Sequence, residues 1–274
     1  MSETAWTFAR VAAAKPELGP LVRLHEALAD AVGAADPEPR FDGTPAVHWV
    51  QGTAVLDASD RDALAAPVAG AFARAARAAA ASVEGVRAAA SEILDATSRP
   101  GFAWTERIAA FRDVPEETAV PHPALFRFLL LRAMAAPASH LARSLSPPHP
   151  ERWLRASCPY CGVPAAAAIA GEGGGRTLVC VLCGGRWRRE GLECLSCGEE
   201  RSDKRLVLAA RELGPASLEA CATCRGGIKV FAAPDVPDGP PVALEVLTVH
   251  LDVLARAEDV SRDETALAAV FPPA

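Results

Sequence analysis

Cys158-Pro159-Tyr160-Cys161-Gly162 and Cys180-Val181-Leu182-Cys183-Gly184 open a pattern that continues with Cys194-Leu195-Ser196-Cys197-Gly198 and Cys221-Ala222-Thr223-Cys224-Arg225. These four Cys-x-x-Cys pairs contain all eight cysteines of the 274-residue chain, separated by 18, 10 and 23 residues. A Cys-x-x-Cys turn aims two sulfurs at one ion, and a second such turn, carried back by a hairpin, completes a tetrahedral site. The two longer intervals fit hairpins, so the simplest pairing is sequential: Cys158/Cys161 with Cys180/Cys183, then Cys194/Cys197 with Cys221/Cys224. Nested or crossed pairings stay open topologically, although short connections favour the sequential one. Glycine follows three of the knuckles and takes φ > 0 without penalty. Arg225 stands in the fourth place, before Gly226-Gly227, which predicts a looser turn there. The expected cofactors are two metal ions per chain, each held by four cysteines. Iron and zinc both suit four thiolates. An iron–sulfur cluster can also use four cysteines, but the ribbon-length loops favour one ion per site.

Paired cysteines confined to one region point to metal rather than disulfides, and to a reducing compartment. Around them the chain is basic: residues 151–230 carry a net +3, against −3 for 1–150 and −6 for 231–274. Two zinc tetrathiolates would add −4 to the middle segment, so Arg186, Arg188 and Arg189 chiefly offset thiolate charge. The overall charge of −6 argues against nucleic-acid binding by bulk electrostatics. No apolar run approaches the ~20 residues that span a bilayer. Met1-Ser2-Glu3-Thr4 shows neither the basic start nor the apolar core of a signal peptide. The expectation is a cytoplasmic protein with no membrane insertion; the oligomeric state stays open.

Outward from the cysteines, residues 1–150 form an expected helical domain. Aromatics are only 5% of the chain, so its core must be built from small side chains packed closely between helices. Ser59-Asp60-Arg61-Asp62 resembles a capping box opening an alanine-rich helix to about residue 96, with Val68, Phe72, Ala75 and Ala79 on one face. Further helices are expected over 18–32, 104–112 (ended by Pro115) and 123–145, with a kink or break at Pro137. Residues 36–52 read as loop. Ser146-Pro147-Pro148-His149-Pro150 marks the domain boundary. The first ribbon is expected over 151–191, the second over 192–234, a linker over 235–241, and a C-terminal helix and tail over 241–274. In that last segment Leu244, Leu247, Leu251 and Leu254 predict an amphipathic helix of about four turns that packs on the body of the protein. The fold class is therefore α+β, with a mainly α-helical N-terminal domain, two tandem zinc-ribbon-like modules and a C-terminal helix.

Other features carry less. Gly171-Glu172-Gly173-Gly174-Gly175 lacks a Walker lysine and reads as a hairpin turn. His25, His48, His122, His140, His149 and His250 are scattered and read as surface or capping residues. Glu116-Glu117 has no base or nucleophile beside it. Trp187 reads as a lid over a ribbon whose indole N–H needs a partner. A thioredoxin-like exchange enzyme would place one pair at a helix start, which four pairs without a βαβ pattern do not match.

Cys158-Pro159-Tyr160-Cys161-Gly162-Val163-Pro164, Leu178-Val179-Cys180-Val181-Leu182-Cys183, Trp187 and Cys194-Leu195-Ser196-Cys197 together resemble the formate dehydrogenase accessory proteins of FdhE type. Glu219-Ala220-Cys221-Ala222-Thr223-Cys224, then Lys229, extend the likeness, as does a final helix around 243–257. It is specific over 158–230 and architectural over 1–150. Gly227 departs from it, standing where the family often has an aromatic residue. The resemblance implies a helical domain preceding two rubredoxin-like metal sites. It also implies a non-catalytic maturation factor that binds the catalytic subunit of a molybdenum- or tungsten-containing formate dehydrogenase in the cytoplasm. The rival reading is a ribbon that binds nucleic acid or the transcription machinery. The acidic tail and the scarcity of aromatics for base stacking oppose it.

Overall fold

Helix α4 (Arg61–Ser82) shows how an alanine-rich sequence builds this core. Ala71, Ala75, Ala76 and Ala79 share its buried face with Leu64, Val68 and Phe72, so neighbouring helices approach closely and fill the space without large side chains. The computed structural model describes residues 7–33, 38–113, 120–171, 174–209, 216–232 and 240–273. Helices α2 (Gly19–Gly33), α5 (Arg87–Thr97) and α6 (Trp104–Ala109) pack around α4 and α7 (Pro123–Ser144), with α1 (Phe8–Ala14) on α2 and α3 (Pro45–Val50) beside the 3₁₀ turn Val55–Ala58. Every residue of α7 from Phe128 to Ala138 is buried, as expected of a helix apolar all round.

Several helix boundaries differ from expectation for local reasons. Asp60, not Ser59, caps α4: its carboxylate accepts from the N–H groups of Asp62 and Ala63 at 3.0 and 3.1 Å. The alanine-rich run is two helices rather than one, because the chain turns through a 3₁₀ segment at Glu84–Val86. Helix α3 lies inside the stretch expected to be loop, begun by Pro45 at its first position. Pro137 does not break α7; it costs one backbone bond, and burial on all sides offsets the ~3 kcal/mol penalty. Met1–Thr4, Pro115, Glu116-Glu117, Glu172-Gly173 and most of the 235–241 linker lie outside the described residues.

Six strands follow: β1 (Ala167–Ala170), β2 (Arg176–Val179), β3 (Arg186–Arg189), β4 (Arg205–Ala209), β5 (Ala216–Cys221) and β6 (Gly227–Phe231). Each ribbon contributes three, and they form one sheet in the order β3-β2-β1-β6-β5-β4. Pairs within a ribbon are antiparallel. The ribbons join through the parallel pair β1/β6, with Ala167 opposite Lys229 and Ile169 opposite Phe231. The fold is α+β.

The C-terminal segment is not one helix. Helices α8 (Pro241–Leu247) and α9 (Val249–Ala257) meet at buried Thr248, whose hydroxyl bonds the Leu244 carbonyl at 2.7 Å, and α10 (Glu264–Ala268) follows. All three pack back on the protein. Leu244, Leu251, Ala255 and Val260 cover the face of Leu218, Ala220 and Phe231. The chain then returns to the helical layer, where the Val270 carbonyl accepts from His25 at 2.6 Å and the Ala269 carbonyl accepts from Arg132 at 3.1 Å. His25 is thus a buried core residue, not a surface one. No helix among the described residues is long and apolar enough to cross a membrane.

Candidate metal centres

All four Cys-x-x-Cys turns share one backbone. In each, the first cysteine's carbonyl accepts from the N–H four residues on: Cys158 from Gly162, Cys180 from Gly184, Cys194 from Gly198, Cys221 from Arg225, at 2.8–3.0 Å. The first cysteine's own N–H donates to the residue after that, closing the turn. This geometry places the fifth residue in the left-handed region, with φ of 73°, 72° and 74° at the glycines and 62° at Arg225. The fourth turn is therefore not looser. Arg225 accepts the strained conformation because its guanidinium donates to the carbonyls of Asp259 and Glu258, and its own carbonyl accepts from the Ser261 N–H.

These turns bring the sulfurs together sequentially, as the hairpin spacing suggests. Cys158, Cys161, Cys180 and Cys183 form one tetrad and Cys194, Cys197, Cys221 and Cys224 the other, with sulfurs in each within 4.8 Å of one another. In the first, Sγ–Sγ separations are 3.5 Å for Cys158–Cys183, 3.5 Å for Cys161–Cys180 and 3.8 Å for Cys161–Cys183. In the second they are 3.6 Å for Cys194–Cys224 and 3.8 Å for Cys197–Cys221. A tetrahedron of sulfurs about 2.3 Å from an ion has edges of about 3.8 Å, so the donor set fits zinc or a single iron. Backbone N–H groups of Gly185 and Gly226 donate to the sulfurs of Cys183 and Cys224 at 3.3 and 3.4 Å, favouring thiolates. Burial raises the thiols of Cys158, Cys161 and Cys183 and pushes Cys224 up to about 12. At Cys221 burial acts the same way, but backbone N–H groups of Cys224 and Thr223 win and bring it down to about 7. A bound cation would remove the penalty for the rest, since coordination deprotonates thiols outright.

The two tetrads sit in different surroundings. The first is part of the main core. The Pro159 carbonyl accepts from the Val55 N–H and the Trp49 indole, both at 3.1 Å, and the Tyr160 carbonyl from the Leu56 N–H at 2.8 Å. Arg112, paired with Asp57 at 2.7 Å, donates to the Cys161 carbonyl at 2.7 Å. Gly185 lies so close to the Tyr160 ring that a Cβ there would stand 2.5 Å from it. Trp187 is buried as a lid, its indole donating to the Arg155 carbonyl at 3.3 Å. At the second tetrad only Cys221 is buried; Cys194 and Cys224 are half-buried and Cys197 is exposed. A cleft of about 440 Å³ between the ribbons reaches Cys194 and Cys221.

Sequence reasoning missed a cluster of four charges behind the second ribbon. Lys229 on β6, fully buried, pairs with Glu245 and Asp252 at 2.7 Å each. Arg262 closes the group at 3.2 Å from Glu245 and 3.3 Å from Asp252. Burial pushes the Glu245 carboxyl up, but the charges of Lys229 and Arg262 outweigh it and hold it below its ordinary range. Two acids of the tail are therefore interior ties rather than surface charge. A lysine within the strand-forming run Ile228-Lys229-Val230-Phe231 was the available signal.

A protein of known structure shares this architecture. The FdhE protein from Pseudomonas aeruginosa has a crystal structure that superposes with a TM-score of 0.66, covering 97% of this chain and 94% of that one at 21% identity. A curated FdhE homologue of Stutzerimonas stutzeri is 33% identical over 118 residues, 41% of this chain. By fold and by sequence, the chain is FdhE-like. A second homologue, of Rhizobium meliloti, is 26% identical over 155 residues, 55% of this chain. The matched stretches span 38% and 49% of those FdhE homologues. No family model matches the chain.

Proposed function

We propose that this FdhE-like chain is a non-catalytic maturation factor for a formate dehydrogenase, binding the catalytic subunit in the cytoplasm and holding one iron or zinc ion in each cysteine tetrad. The observation that carries the reading is the pair of tetrathiolate sites, set in one sheet within an FdhE-like fold. The chemistry of the sites supports binding over catalysis: four sulfurs complete a tetrahedral shell and leave no open position for a substrate. The arginines of β3 favour this reading over nucleic-acid binding. Arg188 pairs with Glu190 and Arg189 with Glu193, so two of the three are already neutralised by neighbouring acids.

The test is deletion in the host during formate-dependent growth. Formate dehydrogenase activity is expected to fall while its catalytic subunit is still made. Wild type should restore it, and a Cys194→Ser/Cys197→Ser variant should not. The catalytic subunit should co-purify with the wild-type chain. Unchanged activity together with co-purifying nucleic acid or RNA polymerase would overturn the proposal in favour of a transcription ribbon. Metal analysis after anaerobic purification should give two ions per chain. Four or more irons with equivalent sulfide would mean clusters instead.

A further inference from the structure

We propose that the two tetrads differ in kind: the second is an exchange site at which a thiol from solution displaces one cysteine from the metal, whereas the first is a permanent joint of the fold. This rests on the reading that both tetrads hold metal. Exchange at a filled tetrathiolate shell is associative, so the incoming sulfur must reach the metal before a resident sulfur leaves. In the first tetrad the cysteines are at most 6% exposed, and the backbone of their first knuckle is bonded to the helical layer. No face is open to an incoming ligand there.

The second tetrad is open on two sides. Cys197 faces solvent, and the cleft between the ribbons reaches Cys194 and Cys221. Its two knuckles are also held unequally. The one at Cys221–Cys224 ends strand β5 and is tied through Arg225 to the carbonyls of Asp259 and Glu258 and to the Ser261 N–H. The one at Cys194–Cys197 lies outside regular secondary structure, and its two turn-closing bonds are internal. Side chains supply its outward ties, from Arg176 to the Glu193 carbonyl, from Arg189 to the Glu193 carboxylate and from Thr223 to Glu199. The geometry therefore selects Cys197 as the leaving ligand. A metal–sulfur bond to the incoming thiol forms, the bond to Cys197 breaks, and the thiol proton ends on Cys197 sulfur. No oxidation state changes.

The experiment uses the full chain loaded with two zinc ions and follows zinc transfer to pyridylazoresorcinol, with and without glutathione. One zinc should leave at least about tenfold faster than the other, which is a modest difference in barrier, and glutathione should accelerate only that phase. The fast phase should disappear in Cys194→Ser/Cys197→Ser while the slow phase remains. In wild type, brief N-ethylmaleimide treatment should modify Cys197 before any cysteine of the first tetrad. The glutathione dependence of zinc release from wild type decides the question even if the variant folds poorly. Equal release rates, a fast phase indifferent to glutathione, or earlier modification of Cys158, Cys161, Cys180 or Cys183 would overturn the exchange proposal. Failure to take up metal at either tetrad would overturn the underlying function instead.

Discussion

Arg225 shows how one residue links a metal turn to a distant segment. A non-glycine side chain in the left-handed region costs on the order of 1 kcal/mol, and here the bonds to residues 258–261 offset it. Arg225→Gly should relieve the backbone and keep the second tetrad's metal, yet loosen that segment. The readout is faster amide hydrogen exchange at Ser261 with unchanged metal content. Gly185 carries the opposite requirement: Gly185→Ala drives a methyl into Tyr160 and should cost about 1–3 kcal/mol by overpacking, measured by urea unfolding. His25 sets a pH dependence. Burial first, then the charge of Arg132, lowers it to about 3, so the folded chain refuses a proton that the unfolded chain takes near pH 6.5. Stability is then complete above pH 6.5 and falls as the pH drops, by up to about 1.4 kcal/mol per unit. Half-buried His250 is shifted in the same direction. Urea unfolding at pH 7 and pH 5 should show the loss, and His25→Gln should reduce it.

Strand β6 and helices α8 and α9 are held by a charge cluster whose energetics depend on balance. Removing Lys229 leaves two buried acids, Glu245 and Asp252, to share the single cation Arg262, so Lys229→Met should destabilise the chain by about 3–5 kcal/mol. Lys229→Met combined with Glu245→Leu removes one charge of each sign and should recover most of that. Urea midpoints of both single variants and of the double check it; a double loss equal to the sum of the single losses would mean that the two residues contribute independently. Such a cluster is hard to read in a sequence because its members lie in separate elements and only tertiary packing brings them together. The knuckles were legible for the converse reason: their chemistry is local, and the spacing of Cys158 to Cys224 determines both the turns and the hairpins between them. Helices α2 and α7 were legible from their apolar patterns. The break at Thr248 was not, because Leu244, Leu247, Leu251 and Leu254 keep helical spacing across it while Thr248 turns its hydroxyl back onto the Leu244 carbonyl. The parallel joint between β1 and β6 was also hidden, since nothing within four-residue and five-residue strands specifies a partner some 60 positions away.

On the scale of the whole molecule, the two tetrads differ in what depends on them. Read from spacing alone, the ribbons are small modules that a chelator would unfold while the helical domain stayed intact. The structure changes that expectation for the first tetrad, because its cysteines share one apolar core with α2, α4 and α7. Metal binding at a structural zinc site is worth on the order of 10 kcal/mol, comparable to the entire stability of a typical domain. Losing the first ion should therefore destabilise the helical layer as well, through the bonds from Trp49, Val55, Leu56 and Arg112 to that knuckle. Losing the second should release chiefly residues 192–232, whose sheet still has β1 and the C-terminal helices to pack on. Cys158→Ser/Cys161→Ser should lower the thermal midpoint of the helical signal by 10 °C or more, roughly the shift expected when a few kcal/mol are removed from a chain of this size. Cys194→Ser/Cys197→Ser should leave that midpoint within about 3 °C, while proteolysis begins near the second ribbon. Circular dichroism and limited proteolysis of the two full-length variants measure this directly, and equal midpoints would show that the first tetrad does not brace the helices.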